Sequence, residues 1–467
     1  MKARALQVTG ALLLLTFCTS LASASPMRTM GTGTCNWDQD SGWVARENAK
    51  AGTSTWSKGV PLRLSADFSR RAQADRVEGW FDSTSTTCGQ NVNLHILGKQ
   101  TLTYVDVFRM GYYQGSGARL ITSTKTKNKT WNFRSSSQTP PGQYLIRISA
   151  PKARASFVPL VIHNPNSQSD ISFISSILTW QSYNQWSGYS LYKGPDAKRE
   201  TRAETVSFDR PYDGDGSGQF RYMEFPALKR AEKLGLDINY LTDIDLDKGI
   251  SSLGKTQSIV FGGHGEYWTK AMRETVEASL AKGINLISLG GNTGYNFTEL
   301  SNGARAMGKI TTWRDTPNDK PESLIWGSQY FALNVHKDFV VTRADAWPFN
   351  VLSQGEIIKG VVGNEVDSPL NAVGPAVEEL ARSSTNPNEK SIASMATYYT
   401  VASGAGILNM GTNGWVCAIE NVCPWGHTFS PATKAQIQAV TDAIFAGLKK
   451  GPLGNWRKAN PDIPKRS

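Results

Sequence analysis

The densest group of polar and aromatic side chains in the chain lies at residues 262–268, which read GGHGEYW. This loop offers an imidazole, a carboxylate and a phenol, without a Ser or Cys at its tip. Such groups suit metal ligation or general acid and base catalysis better than acyl transfer through a nucleophile. His264 and Glu266 are therefore candidate catalytic residues. In the structural alternative, both cap the following helix while Tyr267 and Trp268 pack in the core.

A second acidic group lies at residues 362–367, where Glu365 and Asp367 follow a predicted strand and lie close to Gly363. Two carboxylates beside a flexible glycine could serve a metal or a proton transfer. Acids are also common in surface turns, so this pattern alone is a weak signal.

Residues 208–218 contain the third motif, in which oxygen-bearing side chains alternate ahead of a glycine. The spacing of an EF-hand calcium loop places ligands at alternate positions and a carboxylate further on. Its candidate ligands here are Asp213, Asp215, Ser217 and Glu224. The segment before them reads as strand or coil and not as the entering helix of a hand, which favours a flexible Asp-Gly turn over calcium.

Two kinds of element must position these groups. From about residue 35 to residue 163 the hydrophobic pattern alternates with a period of two and is broken by Gly, Pro, Asn and Ser, which indicates an antiparallel β-sandwich. After a polar linker at residues 163–167, short buried strands alternate with helical stretches at 224–234 and 269–282. This alternation predicts an α/β domain with a mostly parallel sheet, whose working site lies at the carboxyl ends of the strands. Residues 262–268 and 290–293 are then expected at this functional edge.

The chain has 467 residues, enough for two or three domains. We predict a signal peptide at residues 1–24, a β-sandwich at 27–166, an α/β domain at 167–452 and a basic tail at 453–467. The apolar part of the leader is too short to span a membrane, and no later segment is long and apolar enough, so we expect no stable membrane insertion. Secretion, to the periplasm or the outside of the cell, follows from the leader.

Four cysteines remain after cleavage of the leader, and an even number in an exported chain favours disulfides. Two lie in each half of the chain, so we predict the pairs Cys35–Cys88 and Cys417–Cys423. The net charge of +11 and the pI of about 9.3 could suit anionic polymers or nucleic acid. Because the cations are scattered outside the tail, we interpret them as a solvated surface and expect no nucleic-acid partner.

Several segments together resemble a family defined by the C-terminal domain of the N,N-dimethylformamidase β-subunit. They are residues 179–186, 190–192, 208–218, 263–268, 363–367 and 404–415. Residues 107–113 and 156–161, which lie upstream, are similar to the immunoglobulin-like sandwich that often precedes this domain in exported bacterial members. The resemblance covers most of the mature chain. It implies a glutamine-amidotransferase-like α/β fold without the amidotransferase cysteine.

The resemblance also implies a mononuclear iron held by two tyrosinates and one glutamate. Tyr267 matches the tyrosine of the family's Gly-His-x-Glu-Tyr loop, and Glu365 is the carboxylate match. The second tyrosine falls near residues 224–226, where this chain departs from the family with Phe225, and Tyr222 is close by. A hard ferric ion prefers oxygen donors and could acidify a bound water to attack an amide carbonyl.

The leading hypothesis is therefore a secreted hydrolase related to dimethylformamidase, acting on an amide-type C–N bond other than a peptide bond, with a small amide or an envelope-derived compound as substrate. The alternative is a non-catalytic cell-envelope or carbohydrate-binding protein that keeps the fold without the activity. The sandwich, the basic balance and the 14 Trp residues favour the alternative. The sequence predicts no oligomeric state.

Overall fold

The computed structural model describes residues 37, 41–62, 75–383, 393–424 and 427–466. The predicted signal peptide and Cys35 lie outside these ranges, so the leader and the Cys35–Cys88 pair stay predictions. The described residues belong to one compact unit. None of the helices in these ranges combines the length and apolar character that a membrane-spanning helix requires.

Two antiparallel-rich sheets occupy the N-terminal third of the described chain, one with the strand order β1-β3-β6 and one with the order β2-β8-β7-β4-β5. Their strands are β1 Glu78–Phe81, β2 Ser85–Thr87, β3 Asn91–Leu97, β4 Thr103–Met110, β5 Ala118–Thr126, β6 Thr130–Arg134, β7 Gly142–Ala150 and β8 Ala153–His163. Alternating residues such as Val105 and Val107 of β4 point into a hydrophobic cluster that both sheets enclose.

The five-stranded sheet is buried on its second face as well. Phe108, Leu145 and Phe157 of this sheet belong to the large hydrophobic core that they share with residues of the C-terminal region, such as Phe173 and Tyr240. A fully buried ion pair, Arg109 Nη2 to Glu232 Oε1 at 3.1 Å, crosses the same contact. The sheet is therefore a layer common to two cores. Its immunoglobulin-like classification and the predicted boundary at residue 166 stay predictions.

The remaining strands are β9 Gln168–Ser169, β10 Ile171–Ser175, β11 Thr205–Ser207, β12 Ile238–Thr242, β13 Lys255–Thr256, β14 Ser258–Phe261, β15 Tyr267–Trp268, β16 Asn285–Ser288, β17 Asn296–Ser301, β18 Ala306–Thr312, β19 Gln329–Val341, β20 Ile357–Ser368, β21 Glu378–Ser383, β22 Met395–Thr400 and β23 Gly406–Asn409. The helices are α1 Trp43–Asn48, α2 Ile177–Tyr183, α3 Gly218–Met223, α4 Phe225–Lys233, α5 Asp243–Asp247, α6 Lys270–Ala281, α7 Ser323–Trp326, α8 Gly414–Glu420 and α9 Pro431–Leu448.

A mixed sheet of nine strands, in the order β12-β10-β14-β16-β23-β22-β21-β19-β20, forms the centre of this region. The strands from β12 to β23 in this order pair in parallel, whereas every pair from β23 to β20 is antiparallel. The protein is mostly β-structure, with 35% strand and 23% helix. The predicted fold class, a mostly parallel α/β sheet of glutamine-amidotransferase type, is therefore wrong.

The error has a physical cause. The parallel half was recognised from short, fully buried strands separated by helices such as α4 and α6, and both of these helices lie within one residue of their predicted bounds. Long strands β19 and β20 instead follow one another as an antiparallel pair and add to the same sheet. A buried strand has the same continuous apolar pattern in either orientation, so the sequence alone did not distinguish the two.

Candidate functional site

The candidate site lies where several strands of the nine-stranded sheet end. The loop after β14 carries His264 and Glu266, Asn292 follows β16, and Asn413 follows β23. Because these strands are parallel, their carboxyl ends meet at one edge of the sheet. Glu365 reaches the same edge from within the antiparallel strand β20, so our expectation that it follows a strand is wrong.

Two glycines allow the loops to approach closely enough to assemble this edge. A Cβ atom on Gly263 would lie 1.9 Å from the carbonyl oxygen of Met223, and one on Gly290 would lie 2.6 Å from the carbonyl oxygen of Gly263. A larger residue at position 263 would therefore push the loop after β14 away from α3, and one at position 290 would push it away from the loop after β16. His264 takes its place directly after the first of these glycines.

His264 and Glu365 form the central ion pair of the site. The imidazole Nε2 lies 2.7 Å from Oε2 of Glu365, within ion-pair distance. Asn292 and Asn413 donate side-chain hydrogen bonds of 3.0 Å and 3.2 Å to the same oxygen. Burial acts to raise the pKa of Glu365, but His264 and the two amides hold it below its usual value.

The charge on His264 depends on the carboxylates around it. Burial lowers the pKa of the imidazole, but Glu365, Glu266 and Asp367 together outweigh burial and raise it to about 9. Nε2 lies 3.5 Å from Oε2 of Glu266, so a second carboxylate is close by. His264 is therefore a buried cation at neutral pH.

Glu266 is surrounded by hydrogen-bond donors. Tyr183 donates to it at 2.8 Å, the hydroxyl of Tyr192 lies 2.8 Å and 2.9 Å from its two oxygens, and Asn296 donates at 2.7 Å. Burial and the charge of Glu365 raise the pKa of Glu266 to about 7, against the opposing effect of His264 and the tyrosines. Glu266 can therefore gain or lose a proton near neutral pH.

Tyr267 completes a group of three phenols. Its hydroxyl contacts the hydroxyl of Tyr192, and the ring of Tyr192 stacks on that of Tyr183 with centroids 4.4 Å apart. Burial and the neighbouring Glu266 raise the pKa of each of the three phenols well above the usual value. All three are therefore hydrogen-bond donors at neutral pH.

Two half-buried tyrosines, Tyr295 and Tyr330, lie near the carboxylates of the site. The rings of Tyr295 and Tyr330 lie 5.3 Å apart, and the guanidinium of Arg314 lies 4.8 Å from the centre of the Tyr295 ring. Burial, then the charges of Glu365 and Glu266, raise the pKa of Tyr330 to about 12. Tyr330 therefore lies within electrostatic reach of both carboxylates.

The structure brings His264, Glu266, Tyr267 and Glu365 together but places Tyr222 elsewhere. The charges that act on the Tyr222 phenol are those of Asp215 and Arg221, and it is about half-buried. Within the described residues, no group of three or more His, Cys, Asp or Glu side chains is arranged to hold a metal ion. A metal here would need the phenols as ligands.

Each predicted calcium ligand forms a hydrogen bond or an ion pair within the protein. Asp213 accepts a hydrogen bond from the backbone N–H of Gln185, and Asp215 pairs with Arg221 at 2.9 Å. Ser217 donates to Asp215, and Glu224 accepts from the backbone N–H of Ser176 and from the indole of Trp180. An arginine cation thus occupies the place next to Asp215, which favours the Asp-Gly turn over a calcium loop.

The predicted Cys417–Cys423 disulfide is confirmed, with Cα atoms 4.7 Å apart. It links the fully buried Cys417, in the middle of α8, to Cys423 in the segment that follows the helix.

Sequence reasoning placed residues 290–293 at the functional edge of the sheet, but it did not name Tyr183, Tyr192, Asn292 or Asn413 as site residues. The two tyrosines are part of the segments that carried the family resemblance, which was the available signal. The two asparagines each follow a short buried strand and precede or enter a glycine-rich turn. A rule that collects every polar side chain at the carboxyl ends of predicted strands would have found them.

Comparisons with known proteins agree with the resemblance. The family model described as N,N-dimethylformamidase beta subunit-like, C-terminal, matches residues 104–427. No curated protein matches the chain. A solved structure titled Crystal Structure of FN3tt is similar over 18% of this chain and 87% of its own, at 13% identity and a TM-score of 0.13, too low to support any argument. Since the family model spans well over half of the 467 residues, the chain belongs to the N,N-dimethylformamidase β-subunit-like family.

Proposed function

We propose that the protein hydrolyses an amide-type C–N bond other than a peptide bond, with His264, Glu266 and Glu365 at the reacting centre. The observation that carries this proposal is a buried imidazole 2.7 Å from one carboxylate and 3.5 Å from another. Buried groups with strongly shifted pKa values cluster at functional sites, and this set lies at the sheet edge where ligands bind in open sheets.

Each group has a role that its environment supports. Glu266, with a pKa of about 7, takes a proton from a water molecule as its oxygen attacks the amide carbonyl. The same carboxyl then gives that proton to the leaving nitrogen as the C–N bond breaks. The His264 cation stabilises the negative charge that develops on the carbonyl oxygen, and Glu365 holds the imidazole in its charged form.

The residues present fit the iron that the family resemblance implies. Tyr192, Tyr267 and Glu266 supply two phenols and one carboxylate, and the Tyr192 hydroxyl contacts both of the other groups; oxygen donors of this kind are those that a hard cation prefers. These three residues would hold it, in place of the set with Tyr222 and Glu365 that sequence reasoning suggested, and Glu266 would then be a ligand of the iron and not the base of the metal-free site. A bound ferric ion would supply Lewis acidity that lowers the pKa of a coordinated water.

The Cys417–Cys423 disulfide supports the further proposal that the chain is exported to an oxidising compartment, the periplasm or the cell exterior.

The test uses the full chain purified from an oxidising compartment, with its disulfide intact. Release of amine or ammonia from formamide, N,N-dimethylformamide and acetamide is measured, together with metal content by elemental analysis. Glu266→Gln keeps the hydrogen-bond acceptor and removes the base, so we expect turnover to fall about 100-fold or more. Glu277→Gln on α6 is the matched control, since that carboxylate is 44% exposed and pairs with Arg273.

Tyr267→Phe tests whether the Tyr267 phenol holds a metal ion. If iron is held by Tyr267, this variant loses both the bound metal and the visible tyrosinate-to-iron absorption. The proposal fails if the wild-type protein releases nothing from any of the amides, or if Glu266→Gln turns over at the wild-type rate. Such a result would leave the non-catalytic envelope protein as the hypothesis to pursue.

A further inference from the structure

A polar cavity of about 530 Å³ lies at the amino ends of the parallel strands of the nine-stranded sheet. Most of its walls come from residues directly before β10, β12 and β14, whereas His264 and Glu266 follow β14. The cavity and the candidate site therefore occupy opposite ends of the same strands. The lining residues are Ser41, Gln168, Ser169, Asp170, Asp237, Lys255, Thr256 and Gln257.

The lining of this cavity is polar throughout. Its volume falls in the range of about 300–1,000 Å³ that small-molecule sites show, but such sites are mostly lined by hydrophobic and aromatic side chains. The eight lining residues, all of them described, include none of these. The cavity therefore suits a ligand that forms hydrogen bonds over most of its surface.

One wall of the cavity is the parallel ladder of β9 and β13. The ladder pairs Gln168 with Lys255, both exposed, whereas the next pair along it is buried. Because successive side chains of a strand point to opposite faces, Asp170 and Gln257, two residues further on, share the face of the first pair. Both are half-buried, which agrees with this alternation. The shared face presents a carboxylate, an ammonium and two amides.

Positive and negative charges both line the cavity. Asp170 and Asp237 contribute two carboxylates, and Lys255 contributes an ammonium that forms no ion pair with any described residue. The charge of Lys449 also acts on Asp170. A simple anion would be repelled by the two carboxylates and a simple cation by the two ammonium groups, so a neutral ligand fits best.

Two of the acceptors in the wall lack donors within the protein. Both oxygens of Asp237 accept from backbone N–H groups, those of Gly42 and Val44. Asp170 uses one oxygen for the backbone N–H of Asp237, and its other oxygen accepts no hydrogen bond from the described residues. The side-chain carbonyl of Gln257 is buried and likewise lacks a donor among them. A buried acceptor without a donor is unfavourable, so a ligand that brings hydroxyl groups is favoured.

We propose that this cavity binds a sugar ring, a neutral ligand rich in hydroxyl groups, through Asp170, Gln257 and Lys255. A hydroxyl both donates and accepts, so neighbouring sugar hydroxyls donate to Asp170 and Gln257 and accept from Lys255 at the same time. The eight described lining residues supply no aromatic ring on which the sugar stacks, so hydrogen bonds carry the affinity and keep it low. Binding does not depend on the hydrolysis proposed above.

The test measures binding of glucose and of N-acetylglucosamine to the wild-type full chain by saturation-transfer NMR. We expect at least one of the two to bind with a dissociation constant of the order of 1–10 mM. One control is 2-(hydroxymethyl)tetrahydropyran, which keeps the ring without the ring hydroxyls. The other is glycine, a zwitterion whose charges match Asp170 and Lys255. We expect both controls to bind about 10-fold or more weakly.

Three results would overturn the proposal. Equal binding of the ring analogue would show that hydroxyl groups are not recognised. Binding of glycine in place of the sugars would assign the cavity to zwitterions. A lack of any saturable signal from both sugars would leave no sugar site.

Chain fragments distinguish the two sources of a sugar ring. The β-linked trisaccharides of glucose and of N-acetylglucosamine are measured in the same way. Tighter binding of a trisaccharide than of its monosaccharide assigns the cavity to polysaccharide chains, and weaker binding assigns it to free sugars. Either result supports recognition of the sugar ring.

Variants then locate the binding. Asp170→Asn keeps an oxygen for the Asp237 N–H and removes the charged acceptor, so we expect sugar affinity to fall about 10-fold. Lys255→Met keeps the aliphatic stem and removes the ammonium, and it should weaken binding about 3-fold or more. Lys270→Met is the control, because that side chain is 77% exposed and begins α6, beyond the carboxyl end of β14. Wild-type affinity in both Asp170→Asn and Lys255→Met would refute the site.

The hydrolysis and the sugar site fail separately. A wild-type protein that turns over amides but binds no sugar retains the proposed function and loses this inference. A protein that binds a sugar without hydrolysing any amide does the reverse.

Discussion

Replacing Glu365 by Gln tests whether that carboxylate keeps His264 charged. Gln retains an oxygen for the hydrogen bonds from Asn292 and Asn413 but removes the negative charge 2.7 Å from the imidazole. Glu365 is the leading influence that raises the pKa of His264 to about 9, and burial opposes it. We therefore expect the pKa of His264 in Glu365→Gln to fall to the unperturbed value of about 6.5 or below.

The same change has a consequence for stability. A His with a folded pKa of about 9 and an unfolded pKa of about 6.5 binds more protons in the folded state across that window. Its contribution, about 3 kcal/mol at about 1.4 kcal/mol per pH unit, is fully present below pH 6.5 and is lost as the pH rises through 9. In Glu365→Gln this loss between pH 6.5 and 9 should disappear.

The assay is heteronuclear NMR of protein labelled at histidine, titrated from pH 5 to 10. The chain has five histidines, so the resonance of His264 can be assigned by its absence in His264→Gln. Denaturant unfolding at pH 6.5 and pH 9 gives the stability difference, with Glu277→Gln as the control. The reasoning is refuted if wild-type His264 titrates near 6.5, or if it still titrates near 9 in Glu365→Gln.

Three further predictions concern buried groups outside this ion pair. Burial raises the pKa of Glu224 to about 8, so the cost of this residue to the free energy of unfolding grows as the pH rises above 4.5. Glu224→Gln removes that cost. We therefore expect it to stabilise the protein at pH 7 by about 3 kcal/mol in urea unfolding, with no gain at pH 4. Removing the Cys417–Cys423 disulfide with a double Ala variant should cost about 2 kcal/mol, and an unchanged unfolding midpoint would contradict this. Arg109→Met leaves the Glu232 carboxylate buried without its cation and should lower the free energy of unfolding by about 3–5 kcal/mol. The double variant Arg109→Met with Glu232→Leu should lower it by less. Equal losses in the two variants would show that the unpaired Glu232 charge is not the cause.

Local pattern and long-range assembly differ in how far the sequence predicts them. The strand Ser258–Phe261 and the helix Lys270–Ala281 were recognisable because three apolar residues in a row and a helical repeat ending at Gly283 are local signals. Strand orientation in β19 and β20 depends on which partner each strand finds across the sheet, and apolar pattern does not encode it. The sheet was therefore predicted with the wrong topology although several of its strands were predicted correctly.

The same distinction explains the site. His264, Glu266 and Tyr267 lie in one loop, so a short motif was enough to select them. Tyr192 lies in an irregular stretch without periodicity, and its contacts with Glu266 and Tyr267 show that it belongs to the site. Tyr222 was preferred because of its position in the sequence, but α3 directs its phenol toward Asp215 and Arg221.

The balance of buried charge separates the site from the structural ion pairs of the same protein. Arg109 and Glu232 are one cation and one anion, each fully buried and hydrogen-bonded, so their charges cancel. At the sheet edge, a single His264 cation faces Glu365, Glu266 with a pKa of about 7, and Asp367, whose pKa burial raises to about 6. Near neutral pH the site therefore carries more buried negative charge than positive, an excess that costs stability unless a proton, a metal ion or a substrate compensates it. A purely structural network would not need this excess, because Gln at 266 and Asn at 367 would keep most of the hydrogen bonds without the charge. The uncompensated charge is the physical reason to expect chemistry at this edge.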